Sequence, residues 1–150
     1  MLARLALTTV LAFVVFAATP SAAGISKHPK AKAAMGLLDT VFNQKKVKEG
    51  FDTYVGDKYI QHNPLAADGK EAAVEVLGKA LQALPGWSYD VKHAYVDGDI
   101  VVVHSQVRMK PEDRGFAVVD IFRFEKGKVV EHWDVLQAIP EKSANNNTMF

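Results

Sequence analysis

FAVVDIFRFEKGKVVEHWDV, Phe116 to Val135, is the stretch whose reading decides the fold. Two runs rich in β-branched and aromatic residues flank Glu125-Lys126-Gly127, the composition of two strands joined by a tight turn. The first run carries Asp120 among Val118, Val119, Ile121, Phe122 and Phe124. The second carries His132 and Asp134 among Val129, Val130, Trp133 and Val135. An ionised carboxylate in an apolar strand is costly unless something pairs with it. Two carboxylates and a histidine in one hairpin therefore read as the floor of a site.

The turn decides whether these groups meet. A two-residue loop, Lys126-Gly127, needs positive φ at Lys126, which suits Asn or Asp better. A three-residue loop, Glu125-Lys126-Gly127, needs it only at Gly127 and leaves a bulge there. The second is preferred. It sets Phe124 opposite Lys128, Phe122 opposite Val130, Asp120 opposite His132 and Val118 opposite Asp134, all on one face. The two-residue register would split Asp120 from His132.

Working towards the N-terminus, Ile100 to Met109 reads as a strand, with Val101, Val103 and Val107 on one face and Val102, His104, Gln106 and Arg108 on the other. Asp97-Gly98 is a hairpin signal. Before it, Trp87, Tyr89, Val91, His93 and Tyr95 alternate with smaller or polar residues and predict a strand burying one face. A helix runs from the Asp68/Glu71 pair, spaced as a capping box, to about Leu84, where Pro85-Gly86 stops it. Tyr59-Ile60-Gln61-His62-Asn63-Pro64 reads as a corner, because Pro64 biases Asn63 away from helical geometry. Shorter helices are expected over Ala33 to Asn43 and Val47 to Val55. Three helices followed by four strands give an α+β domain, the helices packed across one side of a curved antiparallel sheet.

The ends are organised differently. Residues 1–23 read as a signal peptide: Arg4, an apolar run from Leu5 to Ala18, then Pro20-Ser21-Ala22-Ala23. The apolar run is short of the roughly 20 residues of a membrane span; an uncleaved N-terminal anchor is the alternative. The expectation is a secreted or periplasmic protein with no membrane attachment after cleavage. Residues 24–32 form a flexible lead-in, 33–140 the domain and 141–150 a polar tail. There is no cysteine, so the core has to suffice without disulfides. The net charge is +1, and the cationic clusters at Lys27 to Lys32 and Lys45 to Lys48 lack interleaved aromatic residues. No nucleic-acid partner is expected.

Tyr59…Gln61-His62-Asn63-Pro64, with Asp120-Ile121-Phe122-Arg123 ahead of Glu131-His132-Trp133-Asp134, resembles the SnoaL-like proteins. These belong to the cone-shaped nuclear transport factor 2-like superfamily, alongside ketosteroid isomerase. The likeness covers about Ala33 to Pro140. It implies a cone-shaped α+β barrel with a pocket between helices and sheet, and often a homodimer. The polyketide cyclases among these proteins close rings by intramolecular aldol condensation without metal or cofactor, using an aspartate as acid/base. By position that aspartate corresponds to Asp120, and the family's histidine in the preceding strand to His104. The superfamily holds enzymes, binding proteins and transport factors, so fold does not establish activity.

Asp120 is the leading candidate base. An ordinary aspartate, with pKa about 3.9, is too weak near neutrality, and an apolar cavity raises it. Its structural alternative is a partner for Arg108 or Arg123. His104 and His132 are candidates to protonate the developing oxyanion or orient Asp120; each could instead be a hydrogen-bonded core histidine. His62, Asn63, Asp134, Phe122 and Tyr59 are candidate substrate-binding residues. His62, His104, His132, Asp120 and Asp134 are ligand types that suit zinc or iron, but no pair has the short spacing of a metal motif, so no metal is expected. The reading is cofactor-free acid/base chemistry on a small hydrophobic or carbonyl-containing ligand, with a non-catalytic binding pocket as the alternative. The sheet face carrying Trp133, Glu131 and Arg123 is the expected dimer surface.

Overall fold

A computed structural model describes residues 24–150; the expected signal peptide lies outside the described residues. In chain order the elements are α1 (Pro29–Leu38), continued by a π-helical turn (Asp39–Asn43), α2 (Val47–Tyr54), β1 (Val55–Gln61), α3 (Lys70–Ala83), β2 (Ser88–Asp97), β3 (Ile100–Arg108), β4 (Phe116–Glu125) and β5 (Lys128–Ala138). The strands form one sheet in the order β1-β5-β4-β3-β2. Every neighbouring pair is antiparallel except β1 with β5. Among the described residues no helix is long and apolar enough to cross a membrane.

The core lies between the helices and the inner sheet face. Val101 and Val103 of β3, Phe122 and Phe124 of β4 and Val129 of β5 meet Leu37, Leu38, Val41 and Phe51 from the helical side. Burying one such side chain stabilises by roughly 1.5–3 kcal/mol. The π-helical turn is tied to the sheet through Asn43. Its Nδ2 donates to the Tyr89 carbonyl at 3.0 Å, and its Oδ1 accepts from the Tyr89 amide at 3.0 Å. Phe42 then stacks on Tyr89, with ring centroids 4.3 Å apart.

The central hairpin turns differently from the sequence expectation. Glu125 pairs with Lys128, so the loop is the two-residue Lys126-Gly127, with φ of 49° and 79°. Both are left-handed, as a type I′ turn requires. The turn matches the twist of the strands and offsets the strain at Lys126. Left alone, this register would separate Asp120 from His132. A bulge restores the face: Phe124 pairs with Val129 but Arg123 pairs with Glu131, leaving Val130 as the extra residue. Beyond it Phe122 pairs with His132, Asp120 with Asp134 and Val118 with Leu136. Asp120, Phe122, His132 and Asp134 share the inner face, as expected, though each partner is shifted by two.

Three further expectations are corrected. Tyr59 to Gln61 is not a corner but the end of β1, paired in parallel with β5 through Ile60–Glu131 and Gln61–His132. Gly56, Asp57 and Lys58 gave it little strand character, and its partner lies far along the chain. The capping box is not formed. Gly69, with φ of 95°, caps α3, and Asp68 Oδ1 instead accepts from the Gln61 amide at 2.8 Å. In β2 a bulge between Val91 and His93 reverses the alternation. Tyr89 and Val91 therefore face inward, while His93 and Tyr95 face outward.

Candidate functional site

A cavity of about 310 Å³ opens between the helices and the inner sheet face. Its walls are largely aliphatic and aromatic, from Leu37 and Val41 of the helical side to Phe116 and Phe122 of β4. Its polar groups gather on β1 and the segment after it, β4 and β5: Tyr59, Gln61, Asn63, Asp120, His132 and Asp134. Alternation along β4 and β5, with the bulge, brings the last three together. Alternation along β1 and its continuation sends Tyr59, Gln61 and Asn63 inward.

Asp120 sits at the centre and is 2% exposed. Its Oδ1 lies 3.0 Å from His132 Nε2. Its buried Oδ2 has no hydrogen-bond partner. Loss of hydration raises the Asp120 pKa above the ordinary carboxylate range. The His132 hydrogen bond and charge oppose that rise, and the Asp134 carboxylate adds to it. His132 stacks on Phe122, with ring centroids 4.9 Å apart, which holds the imidazole plane. Asp134, directly opposite Asp120, accepts from Asn63 Nδ2 on both oxygens at 2.9 Å. Burial, then the carboxylates of Asp120 and Asp134, pushes the Tyr59 phenol up, so it stays protonated. Tyr89 is pushed up for the same reasons, burial first.

Two expected site residues are elsewhere. His104 pairs with Val119 on the outer sheet face, because inward positions on β3 belong to Val101, Val103, Ser105 and Val107. Its ring lies 5.9 Å from that of His93 and 5.3 Å from that of Phe150. Burial, then the His93 charge, lowers its pKa. It cannot reach Asp120 across the sheet. His62 also points outward, one residue out of phase with Gln61 and Asn63. It stacks on Trp133 at 4.5 Å with planes 5° apart, and its Nε2 lies 2.8 Å from Glu131 Oε1. Glu131 is held ionised first by His62 and then by Arg123, whose Nε donates to it at 2.5 Å. The structural alternative for Asp120, pairing with Arg123, fails because Arg123 belongs to this outer network.

Gln61 was missed as a site residue. Its Oε1 lies 3.2 Å from His132 Nδ1, and its Nε2 donates to the Tyr59 hydroxyl at 3.2 Å. Period-two reading of Tyr59, Gln61 and Asn63 would have exposed it; treating the segment as a corner hid that signal.

The donor atoms of Asp120, His132 and Asp134 lie within 4.8 Å of one another and could hold a divalent cation. A cation on Nε2 would have to replace the hydrogen bond between His132 and Asp120. Chemically, the cluster offers a proton-sharing carboxylate–imidazole pair, a second carboxylate and a phenol, all facing apolar walls.

The family model for the SnoaL-like domain matches residues 36–132. No curated protein matches the chain. Among solved structures, a proposed isomerase of the SnoaL-like family from Agrobacterium tumefaciens is similar, with 14% identity, a TM-score of 0.62, and coverage of 73% of this chain and 98% of that one. A proposed polyketide cyclase from Acidithiobacillus ferrooxidans has 15% identity and a TM-score of 0.62, covering 73% of this chain and 89% of its own. A SnoaL-like protein from Burkholderia thailandensis has 14% identity and a TM-score of 0.62, covering 76% of this chain and 99% of its own. At such identities these neighbours establish the fold, and activity has to be argued from the cavity.

Proposed function

The chain belongs to the SnoaL-like family, and from that premise we propose that it performs cofactor-free acid/base chemistry on a small carbonyl compound, of the aldol or isomerase type. The observation that carries this reading is the hydrogen-bonded Asp120–His132 pair buried in an otherwise apolar cavity. Asp120 takes the proton α to the substrate carbonyl, breaking the C–H bond and leaving an enolate. In an aldol reaction that carbon attacks a second carbonyl, and the resulting alkoxide recovers the proton from the Asp120–His132 pair. In an isomerisation the proton returns to another carbon. Burial supports the role by bringing the base closer to neutral strength. The apolar walls fit a ligand whose bulk is hydrocarbon and whose oxygen meets the polar floor. The test is turnover by wild type and Asp120→Asn on a panel of small ketones and aldols, with mass spectrometry of any co-purified ligand guiding the panel.

A binding protein is the second reading. It is favoured by Asp134, whose two oxygens are both engaged by Asn63. Tight ligand binding without turnover in the wild type would select it.

The outer sheet face carries Val102, Val119, Ile121, Trp133 and Val135, with Val135 65% exposed. Such a face supports a homodimer, to be tested by light scattering. Export to the periplasm or the medium follows from the signal-like residues 1–23, and N-terminal sequencing of the exported protein, expected to begin near Gly24, tests it.

A further inference from the structure

We infer that Gln61 is a positioning residue: it holds a proton on His132 Nδ1 and thereby keeps a second proton in the bond between His132 Nε2 and Asp120 Oδ1. The Asn63 amide nitrogen donates to Gln61 Oε1 at 2.9 Å. An N–H can only donate, so the atom it meets must be the Gln61 oxygen. The other end of the amide agrees, since Nε2 donates to the Tyr59 hydroxyl. The Gln61 orientation is therefore set by the chain and not chosen.

The atom facing His132 Nδ1 at 3.2 Å is that same oxygen. An unprotonated Nδ1 would place two lone pairs against each other, so Nδ1 carries a proton. His132 Nε2 then faces Asp120 Oδ1 at 3.0 Å. With Nδ1 occupied, two arrangements satisfy that contact: imidazolium against carboxylate, or neutral imidazole accepting from carboxylic acid. Both hold one proton between Nε2 and Oδ1. Together with the Nδ1 proton the pair carries two, and Asp120 changes between acid and base by a shift of one proton along an existing hydrogen bond. The same amide fixes a third proton. The Tyr59 hydroxyl accepts from Gln61, so its own proton is turned away from Gln61, on a residue that lines the cavity. Backbone support comes from Asp68, which accepts from the Gln61 amide.

This role rests on the acid/base reading for its use in turnover, but the protonation it describes can be measured without a substrate. The experiment is ¹⁵N NMR of full-length protein labelled at histidine, with the His132 signals assigned by loss in His132→Gln, followed from acid to alkaline pH. In the wild type, Nδ1 of His132 is expected to stay protonated until the pair releases its second proton. In Gln61→Leu the oxygen is gone. The ring should then favour Nε2–H with a bare Nδ1, and the pair should release its second proton at lower pH than in the wild type. Gln61→Glu offers a carboxylate oxygen to both donors and should restore the Nδ1 proton, a rescue that a purely structural role would not produce. A bare Nδ1 in the wild type before that release overturns the inference even if no variant folds, as does an unchanged tautomer in folded Gln61→Leu. Either result would leave the base role of Asp120 to its own turnover test.

Discussion

The two faces of the β4–β5 hairpin carry the same kinds of residue in opposite circumstances. On the inner face Asp120 and His132 are hydrogen-bonded, nearly sealed from solvent and enclosed by apolar side chains. On the outer face Arg123, Glu125, Glu131 and His62 form a partly exposed network. Inside, lost hydration dominates and pushes the Asp120 carboxyl up. Outside, the partners dominate, and Glu125 and Glu131 are pulled down by Arg123 and His62. A charge is therefore not a functional signal in itself. What matters is whether its environment leaves a proton in contention, and burial does that for the inner pair.

The sharpest way to break this contrast is Asp120→Asn. Asparagine keeps the shape and can donate to His132 Nε2, but it cannot accept a proton as a base. Turnover is expected to drop by roughly 10²–10⁴-fold with the melting temperature held or raised. Unchanged turnover in a folded variant would remove Asp120 from the chemistry, and a collapse in melting temperature would make it a structural residue.

On the outer face, Trp133→Ala should weaken the proposed homodimer by about 1–3 kcal/mol, as loss of a central aromatic does, while sparing ligand affinity. Sedimentation velocity across a dilution series checks it; a wild type that stays monomeric at micromolar concentration ends the proposal.

Stability against pH separates the faces next. The folded-state pKa of Asp120 is raised, so the native protein holds this proton where the unfolded chain has released it. Its contribution is complete below the ordinary carboxylate value and is lost as pH rises through the folded value. Asp120→Asn removes that loss. Denaturant unfolding should show the variant gaining on wild type as pH rises from the ordinary carboxylate range, and a gap that is flat or of opposite slope would contradict the assigned cause.

The smallest effects belong to the residues that the structure places outside the cavity. His104→Ala should leave turnover within about twofold, since nothing at that position meets the reacting groups. Arg123→Met should leave the melting temperature nearly unchanged, in keeping with a solvent-screened ion pair. A large loss of turnover in His104→Ala would mean that the two faces communicate.

Much of this contrast was legible in the chain. Period-two alternation put Asp120 among inward apolar neighbours and Arg123 opposite to them, because a strand offers only two faces. The QHNP and EHWD segments carried the family resemblance, and the helical spacing over Lys70–Ala83 marked α3. What the chain could not decide was parity and partnership. The bulges at Val130 and near Lys92 each add one residue and reverse a face; their cost and benefit depend on the neighbouring strand, which local sequence does not reveal. That is why the right face for Asp120 and His132 followed from the wrong turn, and why His93 was placed inward. β1 lay beyond local reading for a related reason: its hydrogen bonds go to β5, and its Gly-Asp-Lys start has little strand preference of its own. Once β1 docks, Gln61 reaches His132, Asn63 reaches Asp134, and His62 is turned outward onto Trp133. Residue types and periodicity, which are local, determined the elements and the candidate acid; the pairing of distant strands, which is a tertiary contest for hydrogen bonds and burial, decided which groups share its proton.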